Sequence, residues 1–376
     1  MNKFLSALAV VIIIAAVGVL RPANGAQPVV MAATPLLQQS SACTFPTQMA
    51  ATPEQTAWQL FVAATCPVGT QYPYVAWEQW TEQNQIYGSS AQMAEGKRPR
   101  FHMSPLARIM REKARHKKGR LKAEQILPQS ANEDCNSQTW SKRTICEEAR
   151  LNPDAQKYVQ SNNLNTLAGQ EQFVKAGTAF QFTPPSIEIK ADWIQLASCN
   201  NPPQNVHVET VDGRCYALGG IHLISKLIDK WVWATFEPQN SVTNPQRCKV
   251  LGCNDPWGSQ PAKSSGATTQ LTSDLAALMK QADLAPEWLN YRLDGVQVDF
   301  VDAKGKPTIL GNSIIEGDNA GNPSLMKQSS CITCHDLSTI NVQGQQLSPN
   351  FIVGPPANIP AGYVRRDFVW SLSLAQ

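Results

Sequence analysis

The residues best suited to chemistry are Cys331, Cys334 and His335, in the run Cys-Ile-Thr-Cys-His near the C-terminus. Two thiols three residues apart lie on one face of a helical turn, where both can form thioethers with the vinyl groups of a haem. The histidine that follows is then positioned as the proximal iron ligand. The spacing therefore predicts one covalently attached haem c.

Two other uses of a Cys-x-x-Cys pair fit this chain less well. A structural zinc site needs two further ligands at a matching spacing, and no second Cys-x-x-Cys or His-x-x-x-His run occurs in the sequence. A thioredoxin-like redox pair needs a βαβ setting, whereas this motif follows a polar loop rich in glycine and asparagine. We therefore favour haem.

A second iron ligand must come from upstream, because no methionine or histidine follows His335. The candidates are His102, His116, His207, His222, Met103, Met279 and Met326. Met326 lies only five residues before Cys331, which is too close to reach the opposite face of the haem.

His222 is the preferred distal ligand. Its neighbours are apolar, and an imidazole buried among them without a partner would be costly. Gly219 and Gly220 precede it and would let a flat macrocycle approach the backbone closely. His207 is the next choice.

The N-terminus predicts export. Lys3, the apolar residues 4–20 and the small residues Ala23 and Gly25 are typical of a secretory signal peptide at residues 1–25. A membrane anchor is the alternative, because the apolar run of about 17 residues is close to spanning length. No later stretch is apolar enough to cross a membrane. We expect a soluble protein that is periplasmic or secreted.

Cysteine usage agrees with export. Eight cysteines remain besides the pair at 331 and 334, and an even number in an exported chain predicts disulfides. Buried free thiols are the alternative. Proximity in sequence predicts the pairs Cys43–Cys66, Cys135–Cys146, Cys199–Cys215 and Cys248–Cys253.

Residues 97–122 are unusually basic, with Glu112 as their only acid. This composition suits a docking patch for an acidic redox partner protein or an anionic membrane surface, and it also suits a solvated helix–loop insertion. Nucleic acid is excluded as a partner by export. Without Lys3 and Arg21 the chain has 30 basic and 29 acidic residues, so the surface as a whole does not favour polyanions.

The elements that must position these residues predict an α+β fold. Thr52 and Pro53 begin a helix, and Thr272 caps another near residues 271–284. Strand-like runs occupy residues 185–194, 215–223, 230–237 and 291–301. We predict an N-terminal helical part at 26–160 and a strand-containing, haem-binding part at 161–376 that closes on the C-terminal motif, stapled by disulfides. One continuous domain over 43–376 is the alternative.

Several short motifs resemble a family of exported bacterial proteins described as cytochrome c family proteins. They lie at 57–61, 77–80, 188–193, 219–223, 231–237, 290–297, 331–335 and 367–372. Pro238 stands where the family pattern has histidine, so any role of that histidine is absent here. The resemblance covers most of the chain from Trp58 onward and implies a haem and one fold. The family has no established reaction, so it implies no substrate.

Three functions remain open at this point. The first is an exported monohaem c-type cytochrome that transfers one electron at a time. The second is a haem oxidoreductase or peroxidase with an open iron position, and the third is a haem-based ligand sensor. The chain is more than three times as long as one haem requires, which keeps catalysis under consideration. Two protein ligands to the iron would favour electron transfer.

Overall fold

The computed structural model describes residues 40–87, 98–99, 101–103, 135–355 and 358–376. The predicted signal peptide and most of the basic segment, including His116, lie outside these ranges. Ser40–Gln376 form one compact unit.

An antiparallel sheet of seven strands organises the described part of the chain. Its strands are β1 Thr81–Glu82, β2 Ile145–Leu151, β3 Ile187–Gln195, β4 Val208–Val211, β5 Arg214–Ser225, β6 Val232–Pro238 and β7 Tyr291–Gln297. Their spatial order is β1-β2-β3-β5-β6-β7, and β4 pairs with the first part of β5. Short ladders join Cys253–Asn254 to Lys263–Ser264, Ser259–Gln260 to Gln270–Leu271, and Thr339–Asn341 to Tyr363–Arg365.

The helices pack on this sheet. The α-helices are α1 Pro53–Ala64, α2 Gln83–Tyr87, α3 Pro153–Ser161, α4 Leu167–Lys175, α5 Ser273–Gln281 and α6 Cys331–Asp336. Short 3₁₀ helices cover Ser41–Cys43, Ala76–Gln79, Trp288–Asn290, Pro323–Gln328 and Ser371–Leu374, and Ser313–Asn319 form a π-helical segment. The mixed helix and sheet composition confirms the α+β prediction.

Two predicted helix starts are confirmed at their caps. The Thr52 hydroxyl accepts a hydrogen bond from the Gln55 N–H at 3.1 Å, with Pro53 at the first helical position. The Thr272 hydroxyl accepts from the Leu275 N–H at 3.3 Å. Each cap satisfies a backbone N–H that the helix itself leaves unpaired.

Both faces of the sheet are buried, and alternation along each strand assigns side chains to one face or the other. On β5, Ile221 and Leu223 join the core that contains α1, whereas Ile224 joins the core that contains Cys331 and Ile332 of α6. We call these the α1 face and the α6 face. Because successive residues point to opposite faces, His222 lies on the α6 face.

The sheet begins earlier than the sequence suggested. Strand β2 lies inside the part predicted to be helical and pairs along its length with β3. Its residues include Glu147, Glu148 and Arg150, so it lacks the apolar alternation that marks a strand. The charged residues of β2 are instead stabilised by ion pairs. Arg150 contacts Glu148 at 2.6 Å, and Lys190 of β3 contacts Glu147 at 2.9 Å. Helices and strands are therefore interleaved.

The four predicted disulfides are confirmed. They join Cys43 to Cys66, Cys135 to Cys146, Cys199 to Cys215 and Cys248 to Cys253. Cys331 and Cys334 take no part in them. Four disulfides are consistent with an extracellular or periplasmic location. Among the described residues, no helix is long and apolar enough to cross a membrane.

Candidate functional site

A cavity lies between helix α6 and the α6 face of the sheet. Its volume is about 1110 Å³ when the space at its open mouth is included. The cavity is lined by Cys331, Cys334 and His335 from α6, and by His222 from β5. Four residues chosen from the sequence therefore meet at one cavity.

The strand register sets the floor of this cavity. Ala149 of β2, Lys190 of β3 and His222 of β5 are direct partners across the sheet. The next row places Glu188 opposite Ile224, and Ile224 opposite Trp233 of β6. All six side chains line the cavity. Residues opposite one another in an antiparallel sheet share a face, so the pairing brings His222 and Lys190 to one floor.

Helix α6 is anchored at its first turn by β7. The Gln297 amide donates to the Ser330 hydroxyl at 2.9 Å, and its carbonyl oxygen accepts from the Ile332 N–H at 3.3 Å. The Thr333 hydroxyl donates to the Gly354 carbonyl at 2.9 Å. These bonds satisfy polar groups at the helix start and fix its rotation. Both cysteines of the motif consequently line the cavity.

His335 is held in one orientation by a backbone carbonyl. Its Nδ1 lies 2.7 Å from the Phe368 oxygen, and its ring centroid lies 4.6 Å from that of Trp233. Burial lowers the pKa of His335 from 6.5 to about 3, so the ring is neutral. With Nδ1–H donating to the carbonyl, Nε2 carries the lone pair that a metal ligand needs.

The carbonyl that holds His335 belongs to a strained corner. Asp367 and Phe368 both adopt the left-handed backbone region, with φ of 50° and 69°. The Asp367 carboxylate secures this corner by accepting from Lys226 Nζ and from the Phe182 N–H, each at 2.7 Å. Such a conformation costs about 1–3 kcal/mol per residue and is common at functional sites.

His222 has one ring nitrogen engaged and one unengaged. Its Nε2 lies 2.9 Å and 3.2 Å from the two carboxylate oxygens of Glu316. Its Nδ1 is buried and makes no hydrogen bond to any part of the chain that the structure describes. The Asn312 N–H donates to Glu316 at 2.7 Å and fixes the carboxylate. Although burial alone would raise the pKa of Glu316, His222 and Lys190 lower it, so Glu316 is ionised.

Further charged groups surround the cavity floor. Lys190 Nζ and Glu147 form an ion pair at 2.9 Å. Burial raises the pKa of Glu188 from 4.5 to about 7, despite a 3.0 Å hydrogen bond from the Ser371 hydroxyl. The other walls are largely apolar and aromatic, with Trp233, Phe351 and Trp370 among their residues.

The other candidates for the distal position do not line this cavity. His207 packs on the α1 face between the rings of Trp193 and Trp288, with centroid distances of 5.8 Å and 4.6 Å. Met279 belongs to the core that contains α1. His102, Met103 and Met326 are absent from the lining, and His116 lies outside the described residues. Only His222 of the candidates in the described ranges reaches the cavity.

The two glycines before His222 provide space for other side chains of the protein and not for a macrocycle. A Cβ on Gly220 would lie 2.6 Å from the Asn312 side chain, and one on Gly219 would lie 2.6 Å from Ile194. Neither glycine lines the cavity. Their small size lets the π-helical segment approach β5 and bring Glu316 to His222. The expectation that they admit the haem was wrong.

Sequence reasoning missed Glu316, Lys190, Gln297 and Trp370. Glu316 follows a polar loop, and nothing local to it indicates a contact with a residue 94 positions earlier. Lys190 did carry a signal, because a charge that alternates with apolar residues in a strand must face something polar. The Trp370 indole donates to the Cys334 carbonyl at 3.2 Å, a contact that only the tertiary fold creates.

The basic segment is described at few positions. Arg98 is one of them, and it is buried on the α1 face, where Nη2 bonds Glu148 at 2.8 Å. This arginine therefore does not belong to an exposed docking patch.

The residues at the cavity fit a covalent haem. Two cysteines outside the disulfides, one histidine fixed through Nδ1 and a second with an unengaged nitrogen are the donor set that such a group uses. Comparisons with protein-family models, curated proteins and solved structures found no match.

Proposed function

We propose that this chain is an exported c-type cytochrome that transfers one electron at a time. Cys331 and Cys334 would hold one haem c covalently, His335 would be the proximal iron ligand, and His222 the distal ligand. The observation that carries the proposal is the meeting of these four side chains at one cavity. His222 is separated from the motif by more than 100 residues, so their meeting is a property of the fold.

The state of the two histidines supports bis-histidine ligation. A histidine that binds a metal nearly always donates its other ring N–H to a carboxylate, a backbone carbonyl or a water. His335 meets the Phe368 carbonyl and His222 meets the Glu316 carboxylate. In each ring one nitrogen is thus held, and the other remains for a ligand.

A bound haem would supply an iron centre that changes oxidation state by one electron. The chain's own residues would set the properties of that centre. Glu316 holds the His222 ring and increases its basicity, and Phe368 does the same for His335. Burial on the α6 face, with Trp233 against His335, limits access of water. These are the features by which proteins adjust a reduction potential.

The proposal also covers the location of the protein, its family and its redox partner. The four disulfides and the signal-like residues 1–25 support a periplasmic or secreted location. The short motifs from Trp58 onward that resemble the exported cytochrome c family proteins support membership of that family. An acidic redox protein that docks on the basic segment 97–122, apart from the buried Arg98, is the proposed partner.

A haem oxidoreductase or peroxidase is the second candidate, and the His222–Glu316 pair is the observation that favours it. If His222 kept Glu316 and did not bind iron, the pair would be a histidine–carboxylate couple able to accept and return a proton beside an open iron position.

Ultraviolet–visible and EPR spectra of the purified protein separate the two candidates. Electron transfer predicts six-coordinate low-spin iron, which becomes high-spin and binds cyanide or imidazole in His222→Ala. Ser371→Ala, which also changes a lining residue, is the matched control and should stay low-spin. A wild-type protein that is already high-spin would instead support the oxidoreductase. An unchanged low-spin spectrum in His222→Ala would refute His222 as the ligand.

A further inference from the structure

The α1 face holds a second cluster of potential metal ligands, separate from the cavity. His207 Nε2 lies 3.0 Å from Glu78 Oε1 and 3.3 Å from Glu209 Oε1. The three donor atoms lie within 4.8 Å of one another, and all three residues are buried. We propose that Glu78, His207 and Glu209 bind a divalent first-row transition metal ion, with Zn²⁺ as the best match.

The separations suit a shared ion. Two donors that each lie about 2.1 Å from one metal ion, at angles of about 90–110°, are about 3.0–3.4 Å apart. Both measured separations fall in this range. One imidazole nitrogen with two carboxylates matches Zn²⁺, Mn²⁺ or Fe²⁺ better than Ca²⁺ or Mg²⁺, which prefer oxygen alone. A water would complete a four-coordinate site.

Glu209 supplies an independent observation. Its side chain is 3 % exposed, and its Oε1 makes no hydrogen bond within the described residues although it faces His207 Nε2. A single ring nitrogen carries at most one proton, and Glu78 lies nearer to it than Glu209 does. A buried carboxylate oxygen without a hydrogen bond is costly, and a metal ion would satisfy it.

The ligands are held in place from behind, as in metal sites. The second oxygen of Glu78 accepts from the Tyr74 and Val75 N–H groups at 2.9 Å and 3.3 Å. Glu287 Oε1 lies 4.0 Å from His207 Nδ1, on the side opposite the cluster. At this separation Glu287 acts on the His207 ring through its charge and not through a hydrogen bond.

Arg98 approaches the cluster without occupying it. Its Nη1 is 3.5 Å from Glu78 Oε1, and its Nε is 3.9 Å from Glu209 Oε2, which is the other oxygen of that carboxylate. Neither Arg98 nitrogen makes a hydrogen bond within the described chain, because the guanidinium bonds Glu148 through Nη2 at 2.8 Å. The three donor atoms are therefore left to face one another.

The charges around the cluster favour a doubly charged ion. Four carboxylates, those of Glu78, Glu148, Glu209 and Glu287, face two guanidinium groups, those of Arg98 and Arg150. An imidazole that binds a metal is neutral, so in the metal-bound state the four carboxylates and two guanidinium groups leave two negative charges. One divalent ion would neutralise them, and buried charges require such compensation.

Metal analysis of the exported, full-length protein tests the proposal. The protein is stripped with EDTA, dialysed against Zn²⁺ and analysed for metal and by titration calorimetry. We expect one Zn²⁺ per chain bound at this cluster and at least 100-fold weaker binding in Glu209→Gln. Glu188→Gln, a buried carboxylate on the other face, is the control and should bind as the wild type does.

The site does not depend on the proposed haem, so failure of one proposal leaves the other intact. Equal binding by the wild type and Glu209→Gln would overturn the metal site. If Glu209→Gln fails to fold, Co²⁺ added to the stripped wild-type protein gives a second test through its visible ligand-field bands. Their absence, together with a melting temperature that Zn²⁺ does not raise, would overturn the proposal.

Discussion

Each face of the sheet buries one histidine. The two histidines differ in the number of their partners and in the space beside them. On the α6 face, His222 has one carboxylate partner, an unengaged Nδ1 and a cavity beside it. On the α1 face, His207 lies among three carboxylates and between two tryptophan rings. Burial and residue type are alike in the two cases. The space and the number of partners decide which histidine can receive a large group.

The cysteines repeat this contrast. Cys43, Cys66, Cys135 and Cys146 form two disulfides that contribute to the α1-face core. The α6-face core contains Cys331 of the Cys-x-x-Cys-His motif, and the disulfides leave that motif unused. Disulfides within the chain thus cross-link the core on the α1 face, whereas a covalently attached haem would cross-link the α6 face.

His207→Ala should have the largest effect on stability. The change leaves buried carboxylates without their partner, and breaking a buried ion pair in this way costs about 3–5 kcal/mol. Denaturant unfolding measures the loss. The iron spectrum should be unchanged, because His207 does not line the cavity. A change of spin state in His207→Ala would contradict the assignment of the two faces.

Two buried carboxyl groups, one on each face of the sheet, should contribute to the pH dependence of stability. Burial, and for Glu82 also the nearby Glu148, raises the pKa of Glu82 to about 8 and that of Glu188 to about 7, from 4.5. Between pH about 4.5 and these values the folded state holds more protons than the unfolded state. The free energy of unfolding therefore falls as the pH rises through this window.

Substitution by glutamine should reduce that slope. We expect Glu82→Gln to remove a few kcal/mol of pH dependence between about pH 4.5 and 8, and Glu188→Gln to remove less, over a narrower window. Exposed Asp154→Asn is the control and should leave the slope unchanged. Urea unfolding at several pH values measures the effect. A slope that both glutamine variants retain would show that other groups carry it.

Removal of a disulfide should lower the free energy of unfolding by an amount that increases with the length of the loop that the disulfide closes. The Cys43–Cys66 bridge spans 23 residues and the Cys248–Cys253 bridge spans 5. Constraint of the unfolded chain predicts losses of about 3 and about 2 kcal/mol for the double alanine variants. Neither variant should alter the iron spectrum. An altered spectrum would mean that the α1-face core and the cavity are not independent.

Glu316→Gln should have the smallest effect, and a specific one. The neutral amide supports the His222 ring less strongly, so we expect a higher reduction potential and about tenfold weaker His222 ligation, with the fold retained. Redox titration measures the potential. Ser371→Ala is the control and should leave it unchanged. A potential in Glu316→Gln equal to that of the wild type would contradict the role given to Glu316.

The sequence was informative wherever a signal is local. The helix caps at Thr52 and Thr272, the neighbouring disulfides and the apolar runs that became β3, β5 and β6 all depend on residues close together in the chain. Strand β2 was missed because its charged residues are stabilised by partners on other segments, such as Lys190. The part of the fold that depends on long-range ion pairs cannot be predicted from local sequence patterns.

The site shows the same limit. Cys331, Cys334 and His335 were identified from spacing alone, and His222 from elimination and apolar context. The reason given for Gly219 and Gly220 was wrong, because the close approach that they permit is made by Asn312, Ile194 and the π-helical segment. Glu316 could not be assigned, and the signal at Lys190 did not identify its neighbour, since the proximity of both residues to His222 follows from strand register and from the packing of that segment.

The proposed function depends above all on the covalent attachment of haem through Cys331 and Cys334. The direct measurement is the intact mass of protein produced with a c-type cytochrome maturation system, combined with acid–acetone extraction. We predict a mass increased by one haem and colour that stays with the protein, both lost in the Cys331→Ala, Cys334→Ala double variant. Haem that extracts into the solvent, or an intact mass without the increment, would contradict the account.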